Sequence, residues 1–102
     1  MTIKAGIIGG AGYTGGELIR LLMLHPQVTL SFVQSSSNAG KPLHAVHADL
    51  FGESDVLFDA SHHVDVDVMF FCAGHGEAKK FVAAQGIPDH VKLIDIGTRR
   101  KT

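Results

Sequence analysis

A chain of 102 residues with 45% hydrophobic content has room for one hydrophobic core and too little length for two full domains, and its composition is that of a folded chain, not a disordered one. With 9 basic and 10 acidic residues and a formal charge of -1, it carries no electrostatic case for nucleic acid. A single cysteine, Cys72, excludes an internal disulfide and a thiolate metal cluster. It also fits a reducing compartment. No apolar stretch approaches the roughly 20 residues needed to cross a bilayer. The amino terminus does not look like a secretory signal, so a cytoplasmic location is expected.

The first element in chain order is an apolar strand over residues 3–8, nearly continuous as in parallel strands covered on both faces. A glycine cluster follows directly, and then an amphipathic segment. Strand, glycine turn and helix in that order open a dinucleotide-binding fold. The spacing fits G-x-G-x-x-G through Gly10, Gly12 and Gly15, and equally G-x-x-G-x-x-G through Gly9, Gly12 and Gly15. One glycine makes the tight turn, a second keeps a Cβ away from a pyrophosphate, and Gly15 lets the helix lie close to the strand. Unpaired amides at the helix start, around Gly12, Tyr13, Thr14 and Gly15, would hold the anion without a cationic side chain. The bland alternative is a glycine-rich turn with no ligand.

The helix is expected from Tyr13 or Thr14 to Leu24, with Leu18, Ile19, Leu21 and Leu22 as its buried stripe and Glu17 and Arg20 outward. Glu17 is expected in the first turn, where it would suit the helix dipole. His25 and Pro26 end the helix. Residues 28–33 alternate and are rich in β-branched and aromatic types, which reads as the second strand. In an NAD site an Asp or Glu near the end of this strand takes the ribose 2′-hydroxyl, yet no acid lies between Glu17 and Asp49. The polar loop that follows carries Ser35, Ser36, Ser37 and Lys41, whose hydroxyls and one cation suit a 2′-phosphate. NADP is the expected cofactor, against the alternative of a loop that binds nothing.

His44, His47 and Asp49 have spacings that can converge on one metal ion, but no softer ligand accompanies them and no metal is expected. Phe51 and Gly52 suggest a turn, residues 56–58 a short third strand, and residues 59–66 a connection too short for a regular crossover helix. Residues 68–72 form an apolar fourth strand. Ala73, Gly74 and His75 then fall beyond its carboxyl end, where parallel-sheet folds place ligand-contacting loops. Cys72 belongs to the core, since burial would raise its pKa and leave the thiol inert. A short helix over 77–85, a break at Gly86 and Pro88, and a fifth strand over 91–96 complete the chain. The basic run Arg99, Arg100 and Lys101 reads as a solvated tail.

These residues add up to a single α/β, Rossmann-like domain over residues 1–102 with a mainly parallel sheet of about five strands. With GGAGYTGGEL, SSSNAGKPL, FFCAGHGEA and LIDIG placed in that order, the chain resembles the N-terminal NADP-binding part of N-acetyl-gamma-glutamyl-phosphate reductase, the NADPH-dependent enzyme of arginine biosynthesis. The resemblance implies pyrophosphate at Gly12, Tyr13, Thr14 and Gly15, and a 2′-phosphate region at Ser35, Ser36, Ser37 and Lys41. It places Ala73, Gly74 and His75 on the nicotinamide side. The family's usual arginine in the loop after the second strand falls near Ser37 here, its usual proline at Gly74, and the match decays after Ile96.

In that family a cysteine in a Gly-Cys-Tyr-Pro setting attacks the acyl phosphate, with a histidine of a second domain assisting. Cys72 does not align with that nucleophile. The resemblance therefore implies a chain that supplies cofactor binding only, without catalytic residues and inactive by itself, the substrate domain lying outside it. Full-length members are expected to form homo-oligomers, with no membrane or nucleic-acid partner. An aspartate-semialdehyde dehydrogenase-like cofactor domain and a non-catalytic nucleotide-binding module are the alternatives.

Overall fold

The computed structural model describes residues 2–52, 54–72 and 87–96. Its sheet has five strands: β1 (Ile3–Ile8), β2 (Val28–Gln34), β3 (Phe58–Asp59), β4 (Val68–Phe71) and β5 (Lys92–Asp95), in the order β3-β2-β1-β4-β5. Every neighbouring pair runs parallel. From β1 the chain builds outward through β2 and β3, then returns to lay β4 against the other edge of β1. The order of the strands thus reverses at β1, and the crevice beyond the carboxyl ends of β1 and β4 is where open α/β sheets bind ligands.

The sheet separates two cores. Ile7, Val33, Phe58, Ile19, Leu43 and Leu50 pack on one face, and Ile8, Phe32, Met69, Phe71, Val66 and Val91 on the other. Neighbours such as Ile7 and Ile8, or Phe32 and Val33, go to opposite faces because side chains alternate along a strand. The β1–β2 register slips by one residue after Ala5, which pairs Gly6 with Phe32. A Cβ on Gly6 would lie 2.0 Å from the Phe32 ring, so the glycine leaves the space that the ring fills.

One α-helix, α1 (Tyr13–Leu24), joins β1 to β2. It ends where His25 and Pro26 predict: His25 leaves helical geometry, and its ring Nδ1 accepts from the Gln27 amide at 3.2 Å. The buried stripe differs from expectation at one position. Ile19 is fully buried, and Leu18 and Leu22 pack partly, but Leu21 is 67% exposed. With Gly15, Gly16 and Ile19 on the buried side, Leu21 falls on the outer side of a 3.6-residue turn. Glu17 also lies beyond the first turn, so its partner is not the helix dipole but Arg20, whose Nη1 donates to Glu17 Oε2 at 2.7 Å.

The third strand is shorter and later than expected, Phe58–Asp59, because Leu57 is taken by an antiparallel bridge to Pro42. Two 3-10 turns, Leu43–Ala45 and Ala48–Leu50, occupy the PLHAVHAD segment. The helix expected over 77–85 and the loop at Ala73, Gly74 and His75 lie outside the described residues.

Candidate functional site

The glycine cluster sits at the carboxyl end of β1, on the junction between strand and helix. Gly9 has φ +77°, a left-handed conformation that L side chains disfavour, so this is the residue that turns the chain off the strand. The Gly9 and Gly10 amides both donate to the Gln34 carbonyl, at 3.0 and 2.9 Å, and the Gly9 amide also reaches Gln34 Oε1 at 3.2 Å. Gln34, the last residue of β2, therefore ties the turn to the neighbouring strand.

Three further glycines are required by space. A Cβ on Gly10 would lie 2.1 Å from Val33 Cγ1, and one on Gly15 would lie 2.7 Å from the Gly10 Cα and carbonyl oxygen. At Gly16 it would meet the His47 ring at 2.6 Å. Gly12 is the opposite case: it caps α1 with extended geometry and no side-chain cap, and nothing lies within 4 Å of where its Cβ would be. The first intrahelical bond runs from the Gly16 amide to the Gly12 carbonyl. Among the described residues no acceptor takes the amides of Ala11, Gly12, Tyr13, Thr14 or Gly15. Open space and unpaired donors coincide at the start of α1, the arrangement that binds phosphate.

The serine loop begins beside this turn, at the end of β2. Its members point different ways. Ser35 is only 6% exposed, its amide donates to the Asp59 carbonyl and its hydroxyl accepts from Asn38 Nδ2 at 3.2 Å, so this serine orders the loop from within. Ser36 and Ser37 are exposed, and Ser36 Oγ accepts from Gln34 Nε2 at 3.2 Å. Gly40, with φ +86°, closes the loop, and Lys41 follows on the surface.

The sheet brings one carboxylate level with the end of β2 that the linear sequence hides, because Asp59 pairs with Gln34 in register. That carboxylate is already engaged. The Ser61 amide and His63 Nε2 donate to it, at 3.0 and 2.8 Å, and hold its pKa below the usual carboxylate value.

The two histidines of PLHAVHAD part company. His44 packs edge-on against Phe51, with ring centroids 4.7 Å apart, while His47 is 8% exposed and its Nε2 donates to the Gly10 carbonyl at 2.8 Å. No group of three or more His, Cys, Asp or Glu among the described residues could hold a metal ion. His47 and Gln34 are the two site-supporting residues that sequence reasoning left out. The doubled glycine, Gly15 and Gly16, is the signal that could have found His47, since an extra glycine inside a helix implies something pressed against it.

Cys72 lies just after β4, its amide bonded to the Ile8 carbonyl, and burial together with the nearby Asp95 pushes its thiol up to about 11. It stays protonated near neutral pH and has no nucleophilic character there. A groove of about 460 Å³, almost wholly apolar, lies at the amino ends of the strands among Ile3, Val28, Val68 and Lys92, opposite the glycine turn.

Comparison with known proteins bears on the family and the fold. In sequence the chain is 54% identical over 95 residues to an N-acetyl-gamma-glutamyl-phosphate reductase of Phocaeicola vulgatus, covering 92% of this chain and 30% of the relative. It is 47% identical over 96 residues to the reductase of Christiangramia forsetii, covering 94% and 30%. The chain thus spans about 30% of the length of these relatives. In structure it is similar to an aspartate semialdehyde dehydrogenase from Candida albicans solved with NADP, at a TM-score of 0.71 and 19% identity over 93% of this chain and 29% of that one. At that identity the likeness speaks for the fold. A family profile described as the NAD-binding domain of semialdehyde dehydrogenase matches residues 4–100, and the chain belongs to that family.

Proposed function

We propose that this chain binds NADP, with the pyrophosphate on the amides at the start of α1 and the adenosine 2′-phosphate near Ser36, Ser37 and Lys41. The observation that carries it is the coincidence at Gly12 of open space, an uncapped helix start and unpaired amides, at the point where the strand order reverses. The 2′-phosphate assignment is supported by the exposed serines and by the Asp59 carboxylate being occupied by Ser61 and His63. Ser35 contributes as the internal brace of that loop, and Ala73, Gly74 and His75, outside the described residues, are assigned to the nicotinamide side on the family resemblance alone.

In a protein as long as its relatives, we infer that this cofactor-binding part serves the NADPH-dependent reduction of N-acetyl-gamma-glutamyl phosphate to the semialdehyde, in the cytoplasm and as a homo-oligomer. The reductase relatives at 47–54% identity support that substrate over aspartyl phosphate, for which the likeness is structural at 19% identity. Bound NADPH supplies the hydride. The residues here bind and orient it; none acts on the acyl phosphate, so the chain by itself turns over no substrate.

Titration with NADPH and NADH tests the proposal, and NADPH is expected to bind more tightly. A preference for NADH would overturn the serine-loop assignment, and failure of both to bind would overturn the site. Ser36→Asp sets a carboxylate against the 2′-phosphate and should weaken NADPH about tenfold, or about 1.4 kcal/mol, while sparing NADH. Unchanged NADPH affinity would remove Ser36 from the site.

A further inference from the structure

The imidazole of His47 lies beneath the glycine turn, against the Gly10 carbonyl. A carbonyl oxygen can only accept, so the 2.8 Å contact between His47 Nε2 and the Gly10 oxygen requires a hydrogen on Nε2. The bond fixes the direction of the Gly10 carbonyl. No peptide bond of the described chain is cis, so in the planar unit between Gly10 and Ala11 the N–H points opposite to the C=O. Holding the Gly10 carbonyl toward His47 therefore turns the Ala11 amide away from it. Among the described residues that amide has no acceptor, and the neighbouring Gly12 faces open space.

The placement of the ring is strongly determined. Leu43 and Leu50, on either side of it in sequence, are buried in the core, and the His47 amide and carbonyl are bonded to Leu43 and Leu50 at 2.9 Å each. One residue past Ala48, the Asp49 carboxylate takes a two-point fork from Arg20 of α1, Nε to Oδ2 at 2.6 Å and Nη2 to Oδ1 at 2.7 Å. Gly16 leaves the room the ring needs. Core, ion pair and helix all locate one imidazole.

We propose that His47 is a positioning residue of the pyrophosphate site: by holding the Gly10 carbonyl inward it presents the Ala11 amide outward as a phosphate donor. The inference rests on the NADP assignment above. Glutamine can place its Nε2 about as far from the backbone as histidine places its own, so it restores the donor without the ring. Leucine fills much of the space and donates nothing.

Titrating the full chain with NADPH should show His47→Leu binding about tenfold more weakly than wild type, with His47→Gln recovering most of the loss. In the wild-type chain, NADPH should move the Ala11 amide proton downfield in NMR spectra, a readout that needs no variant to fold. Equal weakening by leucine and glutamine, unchanged affinity in the leucine variant, or a stationary Ala11 amide would each overturn the positioning role while leaving the cofactor site standing. Wild-type chain that binds no NADPH would overturn the site and this role together.

Discussion

Glycines in this chain are not interchangeable, and the difference is measurable. Gly15 is packed against backbone, where the Gly10 Cα and carbonyl cannot retreat, whereas Gly12 has ordinary φ and empty space around its missing Cβ. Gly15→Ala should therefore cost about 2 kcal/mol or more of stability, in the range of overpacked sites. Gly12→Ala should leave the unfolding midpoint within about 0.5 kcal/mol of wild type, as at unstrained open positions, yet weaken NADPH by placing a methyl group where the pyrophosphate approaches. Urea unfolding and NADPH titration on the same two variants check both halves. A Gly12→Ala chain that binds as well as wild type would show the cofactor lying elsewhere.

The element that gives the site its floor is the pair of 3-10 turns over Leu43–Leu50, joined to α1 by Arg20 and Asp49. The Arg20 hydrogen bonds are the main cause holding the Asp49 carboxyl below its usual pKa, and Arg20 is held in its charged form in return. The arginine and aspartate side chains are 34% and 55% exposed, so solvent screens the pair. The sign follows from linkage. A carboxyl with a depressed folded-state pKa stabilises the fold above its unfolded value and loses that contribution as pH falls through the folded one. Asp49→Asn should accordingly lower the urea midpoint at neutral pH, and its difference from wild type should close below about pH 4. A gap that stays constant from neutral to acid would mean the carboxylate charge contributes nothing. The hydrogen-bonding geometry would then be the whole effect.

At the scale of the whole molecule, the two cores on opposite faces of the sheet divide the work. The α1 face carries Ile19, Leu43, Leu50 and, beneath the turn, His47; the other face is held by Phe32, Met69 and Phe71. Phe32 is 2% exposed, occupies the space above Gly6 and lies 5.2 Å, ring to ring, from His63. Phe32→Ala should cost about 3–5 kcal/mol, a large share of the 5–15 kcal/mol typical of domains this size. Saturating NADPH should recover part of the loss through binding to the folded state. A cost under about 1 kcal/mol would show that this face collapses to fill the space.

What the chain's order of residues determined was local. Apolar Ile3–Ile8, the glycine cluster, the segment ending at His25 and Pro26, and the alternation leading to Val33 each act over a few residues, so strand, turn, helix and strand were legible without a partner. The place of Gly12 at the start of the helix was legible for the same reason. Only the tertiary structure decided which glycine turns the chain and which ones leave room for Val33, His47 and Phe32, because those neighbours come from other elements. It also exposed Leu21, brought Asp59 level with Gln34, and drew His47 away from His44 to the Gly10 carbonyl. Sheet register and packing across the sequence set those distances, and neither is written in the spacing of residues along one segment.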